Sequence, residues 1–332
     1  MRVFVTGAAG FLGRETCRTL AARGYDVTGL THGPEGAQSL PSSSPDGVNW
    51  VRGDVRDWTP ETARSLTSAG AVIHLVGIAA EAPARGQTFE AIHADGTRGL
   101  VQALRNAERR CCQRLVYVSA CGAALESPSG YFRSKAAAEE EIRHSTLPWT
   151  ILRPSVIVGP GSGFLTQIER LVRRPPLLPF RLPVVPLPGS AASRFQPVHV
   201  SDVASCIERA LETEKSAGET VEVGGASVVT LAELVAAVRD RAGVVKPLRP
   251  IPMPLLFATA ACLEALLPHP PLTTDQLIAL EQDNVCDLEK MRDLLGVTPR
   301  TFAEALDATY RKDLTGAIPV GAEGSETRAG EV

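Results

Sequence analysis

Arg2-Val3-Phe4-Val5-Thr6-Gly7-Ala8-Ala9-Gly10-Phe11-Leu12-Gly13-Arg14 is the stretch whose reading decides the fold. Val3, Phe4 and Val5 form a short β-prone run, the pattern of a strand buried on both faces. Glycines follow at 7, 10 and 13, and a helical pattern continues from residue 11 to about 22. A strand turning sharply into a helix leaves unpaired N–H groups and a positive dipole end at the turn. Glycine there lets main chain approach a pyrophosphate where Cβ atoms would block it. The spacing is GxxGxxG rather than GxGxxG, a variant of the usual dinucleotide fingerprint. The turn reads as a phosphate cradle.

Working outward, short β-prone runs alternate with helical patterns. Strands are predicted at 26–30 (DVTGL), 48–51, 71–76 (AVIHLV), 115–119 (LVYVS) and 149–152 (WTIL). Between them, a helix start stands at Thr59-Pro60-Glu61, a helical stripe with one irregular turn near Gly96 runs over 88–107, and a helix covers 131–144. Such alternation predicts an α/β fold, a doubly wound parallel sheet of Rossmann type. The dinucleotide domain is expected over 1–160 with about 195–225, where 198–211 mixes a short strand with a helix and 220–223 is a strand. A smaller, mostly helical C-terminal lobe is expected over about 161–194 and 226–315. In it, 164–174 is a helix, 175–188 an irregular proline-rich loop, and 231–242, 255–267, 275–282, 288–295 and 302–314 further helices. Residues 33–47 read as a loop and 316–332 as a flexible tail.

Composition narrows the function classes. With 332 residues, 44% of them hydrophobic and 21% charged, the chain is of globular type and long enough for two lobes. A formal charge of −3 offers no basic surplus, so nucleic acid is not the expected partner. Seven cysteines without a CxxC pair read as reduced thiols of a cytoplasmic protein, and no metal site is expected. No signal peptide is read, because the strand-like run gives way to glycines within a few residues. No run reaches the roughly 20 apolar residues of a membrane span. The apolar segment 254–267 is either a buried or partly exposed helix of the second lobe or a helix docking on a membrane surface or protein complex, which would place the protein peripherally at the inner face of a membrane.

Tyr131 and Lys135 stand four apart at the head of a helix, hence on one face. A phenol near pKa 10 needs lowering by about 3 units for acid/base work near neutrality. A neighbouring ammonium and a nicotinamide cation are expected to supply that shift. At the end of the second strand the chain reads Leu30-Thr31-His32-Gly33, with no carboxylate before Glu35. An NAD site ordinarily ends this strand with an acid for the ribose hydroxyl. Its absence, with Arg14 beside the last glycine, favours NADP(H), NAD(H) being the alternative. His74 reads as a core histidine, His199 and Asp202 as a brace between lobes, and Arg173-Arg174 as a solvated pair.

Together, TGAAGFLG, GDVRD, the strand ending in Ser119, YFRSK and the segment 152–161 (LRPSVIVGPG) resemble the short-chain dehydrogenase/reductase superfamily, in its extended or atypical branch. Further stretches resemble the atypical subfamily of the NAD(P)H-binding accessory subunit of respiratory complex I and its bacterial relatives. These are 74–77 (HLVG), 89–93 (FEAIH), 118–120 (VSA), 134–136 (SKA), 194–200 (RFQPVHV) and 271–276 (PLTTDQ). The resemblance implies Tyr131 as general acid/base and Lys135 as its partner and a donor to the nicotinamide ribose. The cofactor is implied to lie against Gly7, Ala9, Gly10, Phe11, Leu12, Gly13, Arg14, Thr31, His32, Asp54 (at the adenine), Val55, Leu75, Val76, Gly77, Ser119, Pro154 and Ser155. Two positions depart from the pattern: Cys121 falls where a Ser or Thr polarises substrate, and His93 stands in place of the Asn preceding Gly96-Thr97. The implied function is NADP(H)-dependent oxidation or reduction of a small carbonyl or alcohol, quinone- or isoprenoid-related. The alternatives are a non-catalytic assembly factor for a respiratory or quinone-biosynthesis complex and a nucleotide-sugar epimerase or dehydratase.

Overall fold

Strand β1 (Arg2–Thr6) lies between β2 (Asp26–Thr31) and β4 (Ala71–His74), parallel to both. β3 (Val48–Arg52) closes one edge of the sheet, while β5 (Arg114–Val118), β6 (Trp149–Pro154) and β11 (Glu219–Val223) extend the other. The order is β11-β6-β5-β4-β1-β2-β3, and every pair is parallel. The direction of winding reverses between β1 and β4, and there a crevice opens beyond the strand C-termini. This computed structural model describes residues 1–32, 47–106, 111–173, 183–267 and 270–311.

Side-chain alternation along β1 explains the layers. Val3 and Val5 face a core shared with Cys17 and Leu20 of α1 (Phe11–Ala22), Val203 and Ile207 of α6 (Val200–Glu212) and Met291 of α10 (Glu289–Leu295). Phe4 points the other way, into a core with Leu66 of α2 (Pro60–Thr67), Leu100 of α3 (Gly96–Arg105) and Ile142 of α4 (Gly130–Arg143). Burial of each such aliphatic side chain contributes about 1.5–3 kcal/mol. A third core joins Ile168 of α5 (Gly163–Arg173), Leu234 of α7 (Leu231–Arg241) and Phe302 of α11 (Phe302–Arg311).

Several elements differ from their sequence reading. The fourth strand stops at His74, so Leu75, Val76 and Gly77 leave the ladder and become part of the crevice wall. The irregular turn expected near Gly96 is a π-helical turn, Glu90–Asp95, running into α3. Outside the main sheet, β7 (Ile157–Val158) pairs with β10 (Val198–His199) and β9 (Arg194–Phe195) with β12 (Val229–Thr230). Within the proline-rich stretch read as irregular, β8 (Val185–Pro188) pairs with β13 (Leu248–Ile251). A two-stranded ribbon consists only of edges, where proline's missing N–H breaks no ladder bond. Residues 33–46, Glu35 among them, together with 174–182, Arg174 among them, and the expected tail at 316–332, lie outside the described residues.

The apolar segment 254–267 is a helix, α8 (Met253–Leu266), of which only Ala260 is buried. Leu255 is 59% and Leu266 78% exposed, while Leu256, Phe257 and Leu263 are half-buried, so the segment is a partly exposed helix. No helix among the described residues is long and apolar enough to cross a membrane.

Candidate functional site

The turn between β1 and α1 is built from glycines for separate reasons. Gly7 has φ +68°, and a Cβ there would stand 3.0 Å from the Leu75 carbonyl carbon and the Val76 nitrogen. A Cβ on Gly13 would lie 2.1 Å from the Gly7 carbonyl oxygen, so only glycine lets the helix pack this close to the strand. Gly10 is the N-cap of α1 in extended conformation, and no side chain caps the helix. No acidic residue stands in its first turn either, so the dipole end is left uncompensated by the chain. That is the electrostatic setting in which helix N-termini receive phosphate.

Around this turn lies a cleft of about 440 Å³. Its walls include Gly7, Ala9, Gly10, Phe11, Leu12 and Gly13 from the turn, and Thr31 and His32 from the end of β2. Asp54 and Val55 follow β3, and Leu75, Val76 and Gly77 follow β4. Sequence reasoning missed Leu30, Gly53, Arg56, Ile78, Gln87 and Ile92, which also line it. Gly53 and Arg56 flank Asp54 in GDVRD and could have been read from that motif; Gln87 belongs to a loop without pattern. Of the anticipated contacts, Arg14, Ser119, Tyr131, Lys135, Pro154 and Ser155 are not on the cleft wall. Arg14 is exposed, its Nε donating to the Ala9 carbonyl at 2.8 Å.

The residues present suit a dinucleotide. The Thr31 hydroxyl, on the cleft wall, is buried without a hydrogen-bond partner, as is Ser119 Oγ at the end of β5. Asp54 is the sole carboxylate on the described wall, and Arg56 donates to it from Nε at 3.0 Å and from its backbone N–H at 2.9 Å. These bonds hold the Asp54 carboxyl below its ordinary value. His32 approaches the same carboxylate at 3.4 Å.

Lys135 is buried behind Gly77. A Cβ on Gly77 would stand 3.0 Å from Lys135 Nζ and 3.3 Å from His93 Nε2, so glycine lets this part of the cleft wall pack directly over the ammonium. Nζ donates to the Val118 carbonyl at 3.2 Å and sits 5.3 Å from the centroid of the Tyr117 ring. Burial pulls Lys135 down to about 8, with Glu139 opposing the shift. The neutral form is therefore favoured on folding, and below pH 8 the folded state carries the full cost of a buried ammonium. That cost is relieved as pH rises from about 8 to the ordinary 10.5. Lys135→Met is expected to raise stability at pH 7 by about 2 kcal/mol, read by chemical denaturation. The gain should shrink across pH 8 to 10.5.

Tyr131 does not behave as its spacing suggests. Its phenol is pushed up to about 12, first by burial and then by the Asp275 carboxylate. The expected lowering by Lys135 is absent: burial and the carboxylate, both of which raise a phenol, are what act on it. The ring stands edge-on to His93 at 5.6 Å and to Phe89 at 5.8 Å. His93 Nε2 accepts from the Ile78 N–H at 3.0 Å, which leaves Nδ1 to donate to Ser134 Oγ at 2.8 Å. Burial and the neighbouring Lys135 keep His93 neutral, down to about 2. Thus His93 ties the strand-end loop to α4 in place of an Asn. His74, fully buried between the Thr6 and Thr97 hydroxyls, is a core histidine.

Cys121 turns away from Tyr131. Its thiol faces the Val285 carbonyl at 3.5 Å, and a hydrogen bond with Cys286 holds it below the ordinary thiol value. Its carbonyl accepts from Asn284 Nδ2 at 2.8 Å. Cys121, Cys286 and Glu222 place their ligand-type atoms within 4.8 Å of one another, a grouping the scattered cysteines did not foretell. Glu222 already accepts from the Asp287 N–H at 2.7 Å, and Arg153 adds positive charge beside Cys121. A cation there would meet committed ligands and a guanidinium, so the group reads as a packing junction between the ends of the sheet and residues 284–287. Ser155 belongs to the same junction, donating to the Asn284 carbonyl at 3.0 Å and accepting from the Gln196 N–H at 3.3 Å. At the outer end, Asp202 accepts from the Arg300 N–H at 3.0 Å and pairs with its guanidinium.

Comparison with known proteins agrees with this geometry. The model of the NAD dependent epimerase/dehydratase family matches residues 3–224. A relative in Arabidopsis thaliana, NADH dehydrogenase (ubiquinone) 1 alpha subcomplex subunit 9, mitochondrial, is 32% identical over 287 residues, 84% of this chain and 68% of that protein. A ceramide reductase of Caulobacter vibrioides is 32% identical over 204 residues, 61% of this chain and 58% of that one. Among solved structures, UDP-glucuronic acid 4-epimerase from Bacillus cereus, in complex with UDP-glucuronic acid and NAD, superposes with a TM-score of 0.68. It is 21% identical, and the match covers 95% of this chain and all of that one, a likeness of fold.

Proposed function

Because the chain belongs to the NAD dependent epimerase/dehydratase family, we propose that it is an NADP(H)-using oxidoreductase that reduces the carbonyl of a small apolar, quinone- or isoprenoid-like molecule. The observation that carries this reading is the uncapped α1 N-terminus over its glycine turn, in one cleft with Gly77, directly behind which Lys135 Nζ is packed. When bound, the dinucleotide supplies a hydride at its nicotinamide ring. The α1 amides would hold the diphosphate, and Lys135, behind Gly77, would be the donor to the nicotinamide-side ribose. Tyr131 would give its proton to the carbonyl oxygen as the alcohol forms, which requires the bound dinucleotide to lower a phenol that stands at about 12 in the free site. The relative named as a ceramide reductase favours a carbonyl on an apolar substrate.

The preference for the 2′-phosphate rests on the end of β2. His32 stands where an acid would select NAD, and the Asp54 charge is matched by Arg56. NADPH is expected to bind about tenfold more tightly than NADH, a difference of about 1.4 kcal/mol. His32→Asp should invert that order in a fluorescence titration. NADH binding the unaltered protein more tightly than NADPH would refute the assignment. Turnover is tested by following NADPH absorbance with short-chain quinones and isoprenoid aldehydes as candidate acceptors.

A second reading is favoured by the exposed apolar helix α8: a nucleotide-stiffened module docked in a respiratory or quinone-making assembly. Subunit 9 of the mitochondrial NADH dehydrogenase, the Arabidopsis relative, is named as part of such a complex. On this reading the dinucleotide binds without turning over.

A further inference from the structure

The N-terminus of α4, the helix carrying Tyr131 and Lys135, is closed by a carboxylate from the C-terminal lobe. Asp275 Oδ1 accepts from the Gly130 N–H at 2.5 Å, and Oδ2 accepts from the Tyr131 N–H at 3.4 Å. Oδ2 also accepts from the hydroxyl of Ser129, the N-cap residue, at 3.0 Å. Ser129 Oγ in turn accepts from the Phe132 N–H at 3.4 Å. Three donors of one helix end therefore converge on a side chain that lies more than a hundred residues later in sequence.

Asp275 is itself held in place. It lies in the first turn of α9 (Thr274–Glu281), whose start is a capping box between Thr273 and Gln276. From the other side Glu264, in the last turns of α8, accepts from the Thr274 N–H at 2.9 Å and from its hydroxyl at 3.2 Å. A carboxylate at a helix N-terminus both satisfies orphan amides and complements the dipole. Here the amide satisfied is that of Tyr131 itself, so the bond fixes the backbone from which the phenol projects.

We propose that Asp275 is a positioning residue, delivered by the C-terminal lobe to the head of α4, which sets where Tyr131 and Lys135 stand relative to the dinucleotide cleft. The inference rests on the reading of that cleft given above. A carboxylate serving only as glue between lobes would affect stability alone. One acting on the site also acts on the phenol. The charged or titratable groups facing Tyr131 are Asp275 from α9, Tyr117 from β5, and His93, which burial keeps neutral.

The test titrates 13C-labelled tyrosine by NMR in the full chain without nucleotide, and separately measures NADPH affinity by fluorescence. In Asp275→Asn, which keeps the shape and removes the charge, the Tyr131 resonance is expected to titrate about one pH unit lower. The resonance is identified by its loss in Tyr131→Phe. NADPH affinity should fall about fivefold in Asp275→Asn and further in Asp275→Ala. Glu264→Gln, which loosens α8 from α9 without touching α4, should leave the phenol midpoint in place. An unmoved midpoint in Asp275→Asn, or an equal shift in Glu264→Gln, would overturn the proposal. Failure of the unaltered chain to bind any dinucleotide would instead refute the reading of the cleft, while the phenol titration still reports on Asp275.

Discussion

Gly13→Ala is expected to abolish measurable dinucleotide binding and to destabilise the chain by at least about 3 kcal/mol, the upper range for forcing one methyl into a packed core. The added Cβ would stand 2.1 Å from the Gly7 carbonyl oxygen and 2.7 Å from Ala8 Cα. Both are backbone atoms of the phosphate-facing turn, so no side-chain rotation relieves the contact. Helix α1 has to swing off β1, which takes the uncapped amides out of register with the crevice. Urea denaturation measures the stability and NADPH fluorescence the binding. A variant as stable as the parent that still binds would mean that the turn is looser than its packing implies.

Tyr131→Phe is expected to lower turnover with any accepted carbonyl at least about a hundredfold, within the range for removing a general acid. NADPH affinity should change less than about threefold. The hydroxyl engages in no hydrogen bond among the described residues, whereas its amide and ring are held by Asp275, His93 and Phe89. Phenylalanine preserves the ring contacts, so the helix and Lys135 stay where they are. Single-turnover kinetics with saturating NADPH separates loss of chemistry from loss of binding. Undiminished biological function in this variant would move the balance to the docked-module reading, in which the exposed face of α8 carries the role.

Much of the nucleotide half was legible because it is local. The strand and the three glycines lie within thirteen residues, and the same local sterics that make Gly7 and Gly13 necessary place them at fixed spacing. The irregular turn near Gly96 announced itself through a broken helical stripe, and the structure resolves it as a π turn. What escaped was long-range. Asp275 sits in a segment readable as a capped helix start, but nothing in TTDQ says that its carboxylate reaches Ser129, Gly130 and Tyr131. Cys121, judged by its distance from Ser119, was assigned to substrate, whereas the strand end turns it into a knot with Cys286 and Asn284.

The phenol makes the same point energetically. Spacing to Lys135 suggests a lowered pKa, since sequence displays neighbours but not solvent. Burial acts on both groups at once, raising Tyr131 to about 12 and lowering Lys135 to about 8. The free site thus carries a phenol that holds its proton and a weakened ammonium on the same helix. The ribbon of β8 and β13 shows a milder case, in which prolines argue against a strand only where both ladder sides are used.

The central claim is that a dinucleotide's diphosphate rests on the amides at the start of α1. Native mass spectrometry of the purified chain, before and after addition of NADPH, tests it most directly. The expected result is a mass increment of one NADP(H) per chain, retained from purification or acquired on addition, and absent from Gly13→Ala. A chain that takes up neither NADPH nor NADH would contradict it.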